Sequence, residues 1–192
     1  MAKQGKAKAL TATEHTAFLA FLENSRHPSK YRAIYLLGHR AGLRAQSIAG
    51  ITKNDVLDSS GKLKSEIEIT RDIAKGRSNY PSFFSHPELR EALVQYLNDR
   101  PDSKRVDNLF ITQKGTAYTA NSISHLMLKL FKDAGLEGAS SHSMRRSFAT
   151  NAHRSGVQLA DLRVLMNHRS ISTTVEYIEH DSQHLMKLVS SV

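Results

Sequence analysis

One short alternation constrains the fold of this chain more than any other feature. Glu66-Ile67-Glu68-Ile69-Thr70 places polar and apolar residues in strict turn, the period of a strand with one face buried. Elsewhere apolar residues recur at the three- and four-residue spacings of helices that bury one face. Ser59-Ser60-Gly61 is a turn signal ahead of the alternation. Ala74-Lys75-Gly76-Arg77-Ser78-Asn79 is another behind it, and Tyr80 to Phe84 reads as a returning strand. The pattern predicts an α+β, mostly helical chain with a small antiparallel sheet near residues 52–84.

The helix boundaries are marked locally. Thr11 and Glu14 form a capping-box pattern ahead of Phe18, Leu19, Phe21 and Leu22. Pro28 suits the first turn of a second helix carrying Tyr31, Ile34, Tyr35, Leu36 and Leu37, which Gly42 closes. A short helix is expected around Gln46–Ala49, and Pro87 opens another through Tyr96 and Leu97. Leu109-Phe110-Ile111 is expected to add a short strand. From about Asn121 the reading is helical to the end, with breaks at 135–138, at Gly156 and at 167–170. Residues 1–10 are expected to form a flexible basic arm, 11–182 the main domain, and 183–192 a C-terminal helix or tail. In that tail Leu185, Leu188, Val189 and Val192 make an apolar stripe. It packs either on its own domain or on a neighbouring subunit.

Charge points to the partner. Lys plus Arg number 27 and Asp plus Glu 18, a net charge of +9. Such an excess favours a polyanion, most commonly nucleic acid. The chain has no cysteine, which excludes disulfides, thiolate zinc sites and cysteine nucleophiles together. No apolar run approaches the roughly 20 residues that a membrane span needs. The basic start, Met1 to Lys8, is not followed by the apolar core of a secretion signal.

Four clusters can carry chemistry. Gly42-Leu43-Arg44 places an arginine just past a helix end, and Lys75 sits in the turn between the two strands. In His142-Ser143-Met144-Arg145-Arg146, His142 and Arg145 share a helix face that can grip an anion. Tyr177 follows His168 by nine residues; a phenolate attacking phosphorus gives a covalent phosphotyrosine, without a metal if enough cationic donors stabilise the transition state. Taken singly, each has an ordinary reading: a surface arginine, a solvated lysine, a helix cap, a packed aromatic.

Taken in order, they resemble the tyrosine recombinase (phage-integrase-like) family in its catalytic domain. The resemblance runs through Arg44, Lys75, His142-x-x-Arg145 followed by Phe148-Ala149-Thr150, then His168 in Met-Asn-His, and Tyr177 after Ser172-Thr173-Thr174. It spans roughly residues 11–182. It implies the fold of that catalytic domain and site-specific DNA recombination (integration, excision or inversion) through a 3′-phosphotyrosyl intermediate, with neither metal nor nucleotide cofactor. The implied roles are Tyr177 as nucleophile, Arg44 and Arg145 as a clamp on the phosphate oxygens, and Lys75 as general acid. His142 takes part in proton transfer with the tyrosine, and His168 donates to the phosphate. The implied partners are double-stranded DNA, a homotetramer in the synapse and accessory DNA-bending proteins. The setting is cytoplasmic and nucleoid-associated, in a bacterium or phage.

Three positions depart from the family pattern. Ser47 stands where an acidic residue usually orients the first arginine. Arg146 stands in place of a second His, and Asn167 in place of the usual Gly before His168. About ten residues precede the pattern, as in an excised catalytic fragment or a short enzyme like the fimbrial-switch invertases. Three other functions compete. One is a DNA-binding module that regulates recombination without cutting. The others are a relaxing topoisomerase and a metal hydrolase built on some of the ten histidines.

Overall fold

The computed structural model describes residues 7–74, 79–101, 106–179, 186, 189 and 190. Thr11 opens helix α1 (Ala12–Glu23) through the predicted capping box: its hydroxyl accepts from the Glu14 N–H at 3.2 Å, and the Glu14 carboxylate accepts from the Thr11 N–H at 2.9 Å. Pro28 begins α2 (Pro28–Arg40), in which Ala33 to Leu37 are fully buried. α3 (Ala45–Gly50) and the single turn α4 (Lys53–Val56) follow.

Strands β1 (Glu66–Ile69) and β2 (Tyr80–Phe83) pair antiparallel, Glu66 opposite Phe83 and Ile69 opposite Tyr80. Ile67 and Ile69 face the core and both glutamates face water. The Thr70 carbonyl accepts from the Ile73 and Ala74 N–H groups, so the connection begins as a helical turn, α5 (Arg71–Ala74). Lys75 and the next three residues lie outside the described residues.

Helices α6 (Pro87–Asp99), α7 (Ala120–Asp133), α8 (Ser141–Arg154), α9 (Leu159–Leu165) and α10 (Ile171–Val175) follow, with α7 to α10 separated at the predicted breaks. α2 packs between α6 and α8. At Gly38 a β-carbon would lie 2.7 Å from Met144 Cβ, so the α2 and α8 backbones approach as closely as only glycine permits.

Two expectations are corrected. Leu109–Ile111 forms no strand; the chain here makes only isolated bridges, Asn108 with Thr52 just before the segment and Ile111 with Ala117. The Leu109 N–H bonds to the Ile51 carbonyl at 2.8 Å, but the chain turns into α4 immediately afterwards. The Leu109 carbonyl is taken instead by Tyr96 Oη at 3.1 Å and Arg100 Nε at 2.9 Å, which removes the acceptor a ladder would use. The second correction concerns residues 7–10, expected in a flexible arm. Leu10 is buried, its N–H donates to Ser147 Oγ at 2.8 Å, and the Ala9 N–H donates to Glu179 Oε1 at 2.7 Å. Residues 1–6 lie outside the described residues, as do Leu185, Leu188 and Val192 of the terminal stripe. Among the described residues no helix is long and apolar enough to cross a membrane.

The main core is formed by α1, α2, α3, α6, α7 and the sheet, with Phe18, Tyr35 and Phe131 in mutual ring contact. A smaller core of Ala149, Leu162, Met166 and Ile178 lies beneath α8 and α9, with Phe148 and Tyr177 packed against it. The candidate site lies along α8, between the end of α2 and this second core.

Candidate active site

The site begins where α2 ends. α2 stops at Arg40, Gly42 turns the chain with φ of +65°, and the Leu43 N–H bonds back to the Leu37 carbonyl at 3.0 Å. Leu43 is buried and Arg44 becomes the N-cap of α3. Both terminal nitrogens of Arg44 point at the Asn167 carbonyl, at 3.5 and 3.4 Å. Ser47 does not take over the missing acid's task. It is fully buried and bonds Tyr80 Oη at 3.1 Å, so the carbonyl of residue 167 orients Arg44 instead. Asn167 itself has φ of +47°. That left-handed conformation suits the glycine that the resemblance leads one to expect here, and asparagine tolerates it better than most residues.

Arg145 is the keystone. It is 2% exposed on α8 and donates to three acceptors: the Gly42 carbonyl, the Met166 carbonyl at 2.9 Å and His168 Nε2 at 3.0 Å. It thereby ties the end of α2 to the end of α9. Burial, and then neighbouring Arg44, holds its guanidinium below the ordinary arginine range. The Tyr177 ring lies under it, 5.6 Å from the guanidinium carbon to the ring centroid, close enough for cation–π attraction.

A guanidinium can only donate. His168 Nε2 must therefore accept from Arg145, and the imidazole carries its proton on Nδ1, 3.0 Å from Thr174 Oγ1. Burial, then Arg145 and Arg44, pushes His168 down to about 3. The ring is neutral near pH 7. In this arrangement Nε2 faces Arg145 and Nδ1 faces Thr174, so His168 orients Arg145.

His142 lies at the first turn of α8, capped by Ser140, whose hydroxyl accepts the His142 N–H at 3.3 Å. Its Nδ1 is 3.4 Å from Tyr177 Oη. Partial burial, followed by Arg145 and Arg44, lowers its pKa, which favours a neutral ring able to accept the phenolic proton. Tyr177 follows α10, its N–H bonded to the Thr174 carbonyl at 3.0 Å and its ring 5.0 Å from that of His168. Its face opens on a cavity of about 180 Å³ lined with Ala7, His142, Arg146 and Glu176.

Of the six residues named from sequence, five meet here. Arg44, Arg145 and His168 form one connected group, with Tyr177 against Arg145 and His168, and His142 beside the tyrosine. The sixth, Lys75, falls outside the described residues; α5 just before it packs on α3, with Ile73 against Gly50. Sequence reasoning missed the supporting atoms. Thr174 Oγ1 meets the Nδ1 side of His168, and the carbonyls of Gly42, Met166 and Asn167 aim the arginines. A main-chain carbonyl leaves no mark in the side-chain pattern.

The model of the Phage integrase family matches residues 8–184. The chain belongs to the phage integrase family. "Tyrosine recombinase XerC" of Vibrio atlanticus is 31% identical over 157 residues, covering 80% of this chain and 48% of that protein. The XerC of Syntrophus aciditrophicus is 27% identical over 164 residues, covering 81% and 50%. The chain thus spans about half the length of these curated relatives.

Solved structures share the fold. The crystal structure of XerA recombinase superposes with a TM-score of 0.80 at 22% identity, covering 95% of this chain and 64% of that one. The Tn1549 transposon integrase in complex with a circular intermediate DNA has a TM-score of 0.71 at 21% identity, covering 97% and 66%. XerH site-specific recombinase bound to palindromic difH substrate has a TM-score of 0.73 at 23% identity, covering 95% and 52%. This phage integrase family member therefore has the mostly helical tyrosine recombinase catalytic fold with its small two-stranded sheet.

Proposed function

We propose that this chain cuts and rejoins DNA at specific sites through a 3′-phosphotyrosyl intermediate. The observation that carries the reading is the position of Tyr177. Its phenol lies 3.4 Å from a histidine pushed toward neutrality and its ring lies against a buried arginine, all within one chain.

The chemistry follows from those positions. Tyr177 Oη gives its proton to His142 Nδ1 and attacks the scissile phosphorus, so a P–O bond forms to tyrosine as the bond to the 5′ oxygen breaks. Arg44 and Arg145 stabilise the charge that develops on the non-bridging oxygens. Lys75 protonates the departing 5′ oxygen, which leaves as a hydroxyl. Both arginines are held by carbonyl oxygens before DNA arrives, so little reorganisation opposes the reaction. The covalent bond conserves the energy of the phosphodiester, and rejoining to a partner strand needs no nucleotide. His168 keeps Arg145 aimed. Because Tyr177 reaches its own His142 and Arg145, cleavage is assigned to the tyrosine of the same subunit.

Double-stranded DNA is the proposed partner, bound by the +9 chain largely through phosphate contacts. Exchange between two sites calls for a homotetramer, with accessory DNA-bending proteins assisting assembly. A nucleoid-associated cytoplasmic role in a bacterium or phage follows from the same reading. The test is covalent trapping on nicked duplexes tiled across the gene's genomic neighbourhood. The expected result is an SDS-stable, protease-sensitive DNA adduct that Tyr177→Phe abolishes while still binding DNA. An undiminished adduct from that variant would overturn the assignment. Tight binding without any wild-type adduct would favour a non-cutting module.

A further inference from the structure

Two residues past the proposed nucleophile, Glu179 joins three parts of the chain. Its Oε1 accepts the Ala9 N–H at 2.7 Å, and Arg146 Nε lies 3.4 Å from the same oxygen, an ion pair without hydrogen-bond geometry. Its own N–H donates to Thr150 Oγ1 at 3.1 Å, and that hydroxyl donates to the Tyr177 carbonyl at 3.4 Å. The main chain on the C-terminal side of Tyr177 is thus pinned to α8, the helix that carries His142 and Arg145, and to the segment preceding α1. That segment is itself fixed to α8 by the Leu10 N–H on Ser147 Oγ at 2.8 Å, and Ala7 lines the cavity beside Tyr177.

The geometry points to Glu179 as a positioning residue for the nucleophile, through which the chain preceding α1 sets the placement of Tyr177. This rests on the reading of Tyr177 as nucleophile. The physical case is how little displacement the site tolerates, even with the Tyr177 ring packed on the second core and on Arg145. α10 is five residues long, and Tyr177 Oη reaches His142 at only 3.4 Å, so a shift of about 1 Å removes that contact and slows attack by up to about 100-fold. Arg146 completes the ion pair, so this chain's departure from a second histidine has a local use. A load applied to residues 7–9, by the preceding chain or by whatever it contacts, is transmitted toward the nucleophile through the Glu179 carboxylate.

The test uses the full chain as wild type, Glu179→Ala, Glu179→Gln, Ala9→Pro and the Ala9→Pro/Glu179→Ala double variant. Proline at residue 9 deletes the N–H that Glu179 accepts and leaves the catalytic side chains intact. Cleavage is followed in a single turnover at saturating concentrations of the nicked duplex that gives the Tyr177-dependent adduct. Amide hydrogen exchange across residues 171–179 is measured without DNA. Glu179→Ala and Ala9→Pro are each expected to slow cleavage at least about tenfold with DNA affinity within about twofold of wild type. The double variant should be no slower than the worse single. Exchange should rise about tenfold or more in 171–179 and stay unchanged in α2. Glu179→Gln, which still offers an oxygen to Ala9, should recover most of the rate. The proposal is overturned if the two single effects multiply, if Glu179→Gln is as slow as Glu179→Ala, or if exchange in 171–179 is unmoved. Absence of any wild-type adduct would refute the nucleophile assignment instead, and the exchange data would still decide whether Ala9 and Glu179 are coupled.

Discussion

Gly42→Ala puts the construction of the site under direct test. At φ of +65° a residue with a β-carbon costs about 1–2 kcal/mol more than glycine. Here the added carbon also has nowhere to go, lying 2.6 Å from Cδ1 and 2.8 Å from Cε1 of the Phe148 ring. Phe148 packs against the second core, so displacing it brings an overpacking cost of about 1–3 kcal/mol. The sum is about 2–5 kcal/mol, against a total stability of about 5–15 kcal/mol for a domain, so the variant should still fold. Gly61→Ala provides the control. Its φ is +77° but no heavy atom lies within 4 Å of the added carbon, leaving only the backbone cost of about 1–2 kcal/mol. Urea unfolding of both variants isolates the steric part by difference. Cleavage should fall in Gly42→Ala alone, because the Gly42 carbonyl accepts from Arg145 and Arg44 follows two residues later. Equal losses of stability in the two variants would refute the claim that α8 presses on this turn. Unaltered cleavage in Gly42→Ala would refute the claim that the turn aims the arginines.

Acid should destabilise the protein partly through His168. Its pKa is about 3 when folded, against about 6.5 unfolded, so between these values the unfolded chain holds a proton that the folded one lacks. Stability therefore falls as pH drops through that window, by about 1.4 kcal/mol per pH unit for this residue. His168→Gln keeps an acceptor for Arg145 and should flatten the slope near pH 5 by about that amount in denaturation measured as a function of pH; an unchanged slope would show that His168 titrates freely. Cleavage by the same subunit makes a separate prediction. A mixture of Tyr177→Phe and Arg44→Ala proteins should give no adduct above that of either alone, and recovery of adduct in the mixture would show that the tyrosine acts on a neighbour's site.

Much of the candidate site was legible because its side chains fall in fixed local patterns. His142 and Arg145 are three apart and sit on one helix, and the Thr11 and Glu14 box starts α1 where its residues say. Both follow from contacts between near neighbours in the chain. The hairpin was legible for the same reason, since Ile67 and Ile69 alternate with glutamates whatever lies behind them. Leu109–Ile111 was misread because its β-rich composition gives no hint that Tyr96 and Arg100 take its carbonyl.

Sequence by itself determined the inventory: which side chains can attack, donate or accept, which segments coil, and a charge suited to a polyanion. Tertiary structure decided their states. The His168 proton sits on Nδ1 because Arg145, 23 residues away, can only donate to Nε2. Arg44 is aimed by the Asn167 carbonyl, 123 residues distant, in the absence of the acid that usually does so. Ala9 and Leu10 are held because Glu179 and Ser147 accept their N–H groups. Each of these depends on a backbone atom or a partner brought close by folding. Hydrogen bonding and desolvation act through distance in space, and local pattern carries no record of that distance.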